Sequence, residues 1–204
     1  MPVIFLILFS FILSDDWKLV KKNEQFKVFV RKPDGNAYEQ IKIIAQTTAS
    51  MSEVVAALED VDHHKDWVYA TGESYILETR SYDDFDYYVT VKMPFPIKDR
   101  DLTIHLRREV HPSGIVKILS KSKTNIKDHV DGKVRISDFE SHYILSPMDD
   151  GLIEIEYFLN VDPAGTLPAW VVNLVTTKGP TETMNSLLEL LDSGHYKDAF
   201  VEGL

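Results

Sequence analysis

The 204-residue chain contains no cysteine. That absence removes disulfide scaffolds, thiolate zinc sites, iron–sulfur clusters and thiol catalysis together. Nor is there an excess of positive charge: 22 lysines and arginines stand against 32 carboxylates, a formal charge of -10, which argues against nucleic acid as a partner of the whole molecule. Long apolar runs are missing as well. The longest, Val3 to Leu13, is broken by Ser10, and at about 1.5 Å per residue it falls far short of a hydrocarbon core roughly 30 Å thick. No Lys or Arg precedes it, and Ile12 and Ser14 make a mediocre cleavage site. Residues 1–14 therefore read as a signal-like segment, with a docked segment or weak anchor as the alternative. Cleavage implies a secreted or periplasmic protein; retention implies a cytoplasmic or weakly membrane-associated one. Low-complexity stretches, repeats and Pro/Gly-rich linkers are also absent, so residues 15–204 form one domain, its body running from about Asp16 to Asp192.

What is present is mostly strand pattern. Phe26 to Arg31 and Tyr38 to Thr47 alternate or run β-branched around the turn residues Pro33-Asp34-Gly35-Asn36, an opening hairpin. Ser50 or Ser52 can cap a helix carrying Val54, Val55, Leu58 and Val61, and a short turn with His63, His64 and Trp67 follows. Strands are expected at Ser74–Tyr82, Asp86–Met93, Leu102–Val110, Val116–Ser120, Val134–Leu145 and Leu152–Val161, in an antiparallel meander. Pro168 to Leu191 then repeats apolar residues at helical spacing, with a kink or bulge expected at Gly179-Pro180, or two separate helices. The fold class is α+β, a sheet covered by one long C-terminal helix.

Three segments in order resemble the START family of steroidogenic-acute-regulatory-related lipid-transfer domains. They are Asp60-Val61-Asp62-His63-His64-Lys65-Asp66-Trp67, then Pro94-Phe95-Pro96-Ile97-Lys98-Asp99-Arg100-Asp101, and Asp162-Pro163-Ala164-Gly165-Thr166-Leu167-Pro168-Ala169-Trp170-Val171-Val172-Asn173. The resemblance implies a helix-grip fold: a curved antiparallel sheet wrapped around the C-terminal helix, with an internal hydrophobic cavity for one lipid-like molecule. It also implies that Arg100 lies near the cavity entrance, with a structural ion pair to Asp101 as the plainer alternative. Where sterol-binding relatives carry a buried acid and arginine, this chain has Tyr87 and Leu106.

Strand phase selects the cavity wall: Val89, Val91, Leu102, Ile104, Leu106, Ile155 and Leu159, with Leu188 from the helix and Tyr87, Tyr143 and Tyr157 as polar tips. Pro94, Phe95 and Pro96 with Arg100 form the candidate gate loop, its ring set to meet lipid. Trp67 and Trp170 are expected to be structural wedges. Arg135 meets either a headgroup or solvent.

Catalytic fingerprints are missing. No G-x-S-x-G, H-E-x-x-H, P-loop or dinucleotide motif occurs, and Glu154 and Glu156 fall on the outer face of a strand. The inner faces carry almost no ionisable group for acid–base work. Binding, transfer or sequestration of a hydrophobic molecule without covalent chemistry is thus the expectation, with a cyclase-like or hydrolase-like enzyme or a ligand-responsive regulatory module as alternatives. Neither metal nor cofactor is expected: adjacent His63 and His64 point about 100° apart with no third ligand, and read as a solvated turn. Arg107 to Arg135 holds eight bases against three acids, a strip suited to transient contact with an anionic membrane surface. The molecule is expected to be a monomer.

Overall fold

Alternation of apolar and polar side chains builds most of the molecule. In the computed structural model, which describes residues 17–35 and 37–204, ten strands form one sheet. They are β1 (Lys18–Lys22), β2 (Phe26–Arg31), β3 (Gln40–Thr47), β4 (Thr71–Ser81), β5 (Asp84–Val91), β6 (Arg100–Val110), β7 (Val116–Ser122), β8 (Val134–Arg135), β9 (Asp138–Pro147) and β10 (Ile153–Asp162). Their order is β1-β2-β3-β10-β9-β7-β6-β5-β4, with β8 beside β6. The signal-like segment 1–14 lies outside the described residues.

The expected meander runs from β4 to β10, but β10 then pairs with β3 rather than ending the sheet. The reason is the long connection after β3. Helix α1 (Met51–Glu59), a 3-10 turn (Val61–His63) and helix α2 (His64–Trp67) carry the chain to the far edge before β4 begins. Ser50, not Ser52, caps α1: its hydroxyl accepts from Glu53 N–H and Glu53 accepts from Ser50 N–H, a reciprocal capping box.

Two strand expectations are corrected. The expected strand Val134–Leu145 is broken: β8 lies parallel to Arg100–Asp101, with Val134 in it and Ile136 just beyond it donating to the Asp99 and Asp101 carbonyls, and β9 starts only at Asp138. Strand β1 was not anticipated, since Lys18-Leu19-Val20-Lys21-Lys22 shows no alternation and every residue of it is exposed.

The C-terminal segment is helical throughout, as α3 (Ala169–Asn173), a π turn (Leu174–Lys178) and α4 (Gly179–Asp192). The bulge falls immediately before Gly179-Pro180. Pro180 has no N–H to give and its ring would collide with the carbonyl one turn back, so the turn widens and Gly179 N–H reaches Leu174 O instead. Glycine is required there: a Cβ on Gly179 would lie 2.8 Å from the Leu174 carbonyl oxygen and 3.1 Å from the Tyr69 ring. Beyond the bulge, Met184, Leu187, Leu188 and Leu191 bury their side chains in the core.

Trp170 is not a wedge. It is 55% exposed, because α3 buries Val171 and turns the indole outward.

Candidate functional site

Between sheet and helix lies an apolar cavity of about 220 Å³. Its floor comes from the inner phase of the strands, where Tyr87, Leu102, Ile104, Leu106, Ile118 and Tyr157 are all buried. Its rim comes from exposed Lys92 and Pro94, from Ala70 before β4, and from Leu174, Val175 and Gly179 at the π turn. The irregular turn of the helix thus forms one side of the mouth and the proline loop the other.

Of the residues selected by strand phase, the cavity brings together Tyr87, Val89, Val91, Leu102, Ile104, Leu106, Tyr143, Tyr157 and Leu159. Ile155 and Leu188 do not reach it. Both are buried in packed core, because the cavity occupies only the Val161 end of β10 and Ile155 lies too far toward the other end. In the gate loop, Pro94 lines the rim while Phe95 is 96% exposed and Pro96 is exposed.

Arg100 does not line the cavity but clamps the loop beside its mouth. Its buried guanidinium donates to the carbonyls of Pro163 and Ala164, at 3.1 and 3.0 Å, and to that of Lys98. It ties the proline loop to the junction before α3, where Ala164 and Gly165 both take positive φ. The expected pair with Asp101 is not formed. Asp101 is instead bonded by Arg135, at 3.0 and 2.8 Å, and by the Tyr88 hydroxyl. Arg135 therefore meets neither headgroup nor open solvent; the buried carboxylate on the outer face holds it.

Two residues of the short acidic segment enter the wall. His64, expected in a solvated turn, is buried and lines the cavity, with its ring edge-on to Trp67 and Tyr87. Its Nε2–H donates to the Leu58 carbonyl at 3.0 Å. Burial pushes its pKa down to about 4, so the ring is neutral at pH 7. Trp67, expected only as a wedge, also lines the cavity, and its indole N–H is buried without a partner among the described residues. Of the two histidines His63, paired with Asp60 at 2.8 Å, stays in water.

The polar tips form a group. Tyr143 and Tyr157 stack with ring centroids 4.5 Å apart, and neither hydroxyl is hydrogen-bonded among the described residues. Burial raises the pKa of Tyr87, Tyr143 and Tyr157, which keeps each phenol protonated. With His64 neutral, Lys92 at the rim is the one charged side chain in the described lining. Such a surface can solvate a hydrocarbon and a neutral oxygen, and it offers no counter-charge to a buried ion.

Sequence reasoning missed the acidic anchors of the outer face. Asp86 is buried and bonded by Arg80, Lys123 and His105 at 2.7–3.0 Å. Burial alone would push that carboxyl up, and those three partners hold it well below the usual range. The expected basic strip is therefore partly consumed: Lys123 serves Asp86, Arg135 serves Asp101, and buried Arg108 pairs with Glu59. Among the described residues no cluster suited to a metal ion occurs, and no helix is long and apolar enough to cross a membrane.

A curved antiparallel sheet closed by a C-terminal helix over an apolar cavity is a helix-grip architecture. The START domain family model matches residues 13–194, and the chain belongs to that family. It is similar to a STAR-related lipid transfer protein of Xanthomonas axonopodis, whose crystal structure superimposes with a TM-score of 0.80 at 25% identity, covering 87% of this chain and 99% of that one. Among characterised sequences it is 23% identical to the phosphatidylcholine transfer protein of Mus musculus over 189 residues, 89% of this chain and 86% of the relative. An uncharacterized protein of Pseudomonas aeruginosa is 27% identical over 176 residues, 86% of each chain.

Proposed function

We propose that the chain binds one hydrophobic lipid in this cavity and carries or sequesters it without covalent chemistry. The observation that supports it most is the lining: an apolar wall with neutral hydroxyls at its floor and its single charge at the rim. Burial of each methylene contributes about 0.8 kcal/mol, so desolvation of a chain supplies the affinity. A headgroup that carries charge stays at the mouth beside Lys92.

The same lining speaks against the enzyme alternative. His64 is neutral, but its N–H is spent on Leu58, and among the described residues no carboxylate lines the cavity to act as its base or acid partner. Transfer requires the proline loop and the π turn to part, and Phe95 and Trp170, both exposed, are placed to meet a bilayer as they do.

Native mass spectrometry of freshly purified protein, with organic extraction and identification of what is released, tests this reading. A one-to-one complex with an intact lipid is expected. Release of a chemically altered product, or a chain that takes up no lipid from vesicles, overturns it.

A further inference from the structure

The tautomer of His64 is fixed by its neighbour. A carbonyl oxygen only accepts, so the 3.0 Å bond to Leu58 puts the ring proton on Nε2 and leaves a bare lone pair on Nδ1. Burial disfavours a second proton, and the ring keeps that form at pH 7. Nδ1 has no hydrogen-bond partner among the described residues, and it is not sealed in: the buried polar side-chain atoms left unpaired there are Glu59 Oε1, Trp67 Nε1, Thr71 Oγ1, Ser74 Oγ and Arg108 Nε. His64 is 9% exposed and stands in the cavity wall, so the space left to this nitrogen is cavity space.

The other polar groups of the wall do not discriminate. Hydroxyls of Tyr87, Tyr143, Tyr157, Ser120 and Ser141 both give and accept, so they suit a ketone, an ester or an alcohol alike. Lys92 and Trp67 only give. Among the side-chain nitrogens and oxygens of the described lining, His64 Nδ1 alone accepts without being able to give. A lone pair held in an apolar wall is costly when nothing answers it. A cation could answer it, yet no carboxylate in the described lining would balance the charge.

We propose that His64 Nδ1 accepts a hydrogen bond from the bound lipid, so that the ligand is a neutral lipid carrying a hydroxyl or an amide N–H rather than a hydrocarbon, ketone or ester. This inference rests on the carrier reading above and names the ligand class for it. A hydroxyl gives to Nδ1 while its own lone pairs accept from a phenol; an amide divides the same two roles between its N–H and its carbonyl. A ketone or ester uses the phenols alone.

The test is NMR of the full chain labelled with 15N-histidine, at pH 7, with 2-undecanol, N-methyldecanamide or 2-undecanone bound. The Nδ1 resonance of His64, assigned by its loss in His64→Gln, should lie upfield with the alcohol or the amide of its position with the ketone, and the larger displacement names the donor. In His64→Phe the ratio of 2-undecanol to 2-undecanone affinity should fall about 2- to 13-fold, the worth of one such bond. Should His64→Phe fail to fold, the NMR comparison, made in the parent, decides. One Nδ1 position for all three probes, or an unchanged affinity ratio in folded His64→Phe, overturns the proposal and leaves the carrier reading standing, since the probes are still taken up. A parent that takes up neither these probes nor n-undecane overturns the carrier reading itself, and this inference with it.

Discussion

Arg108 donates from Nη1 to Glu59 Oε2 at 3.1 Å, and the two side chains are 1% and 13% exposed. The pair joins β6 to the end of α1, and the same guanidinium donates to the Glu202 carbonyl at 2.7 Å, fastening the C-terminal tail. Glu59 Oε1 and Arg108 Nε have no partner among the described residues, so the ion pair does not repay the full cost of burial. Burial pushes the Glu59 pKa up to about 7, against the pull of Arg108.

The first prediction follows from setting Glu59 beside His64. Glu59 binds its proton more tightly when folded, so its contribution is present below its ordinary value of 4.5 and is lost as pH rises through about 7. His64, with a folded pKa of about 4, behaves oppositely: its contribution is present above 6.5 and is lost as pH falls toward 4. The two slopes oppose each other between those limits. Urea unfolding of Glu59→Gln should therefore show stability falling as pH drops from about 6.5 to 4, where the buried His64 is no longer opposed by Glu59. His64→Gln should show it rising as pH drops from about 7 to 4.5. Parallel pH profiles for the two variants would mean that neither group is buried as described.

The second prediction concerns the aromatic residues beside the mouth. Phe95 and Trp170 are 96% and 55% exposed, so alanine at either should change stability by no more than about 0.5 kcal/mol. Lipid exchange between vesicles should slow in both, with uptake of 2-undecanone from solution unchanged, since the rings act when the mouth meets lipid. A large loss of stability in Trp170→Ala would restore the wedge assignment, and parental exchange in both variants would move the opening elsewhere.

How far the chain could be read without coordinates depended on whether a feature is periodic. Inner strand phase is periodic, and it located Tyr87, Val89, Leu102, Ile104 and Leu106 on one wall. Depth along a strand is not, so Ile155 shares the phase of Tyr157 and Leu159 and still lies beyond the cavity. Pairing across long separations was equally silent. Asp101 has the sequence neighbour Arg100 but takes Arg135, because alternation sends Asp101 to the outer face and leaves Arg100 against the loop carbonyls. His64 reads as half of an exposed pair. Only the turn between α1 and α2, which directs it inward and leaves His63 outside, separates the two.

The last prediction rests on the stacked pair Tyr143 and Tyr157, whose hydroxyls are protonated and without protein partners among the described residues. Each can donate to a neutral oxygen at the buried end of a ligand, and a hydrogen bond of this kind contributes about 0.5–1.5 kcal/mol. Tyr143→Phe with Tyr157→Phe keeps both rings and the stacking while removing both donors. The double variant should bind 2-undecanone about 2- to 150-fold more weakly, from one or two such bonds, and n-undecane with parental affinity. Decylphosphocholine below its micellar concentration should bind both proteins equally, with its phosphate at the rim beside Lys92, because it brings no neutral oxygen to the two hydroxyls. Equal loss for the ketone and the alkane would mean that the variant damaged packing rather than removed donors. A loss for the phosphocholine in the double variant as large as that for the ketone would place a charged headgroup on the two hydroxyls, and would reopen the cavity floor as a headgroup site.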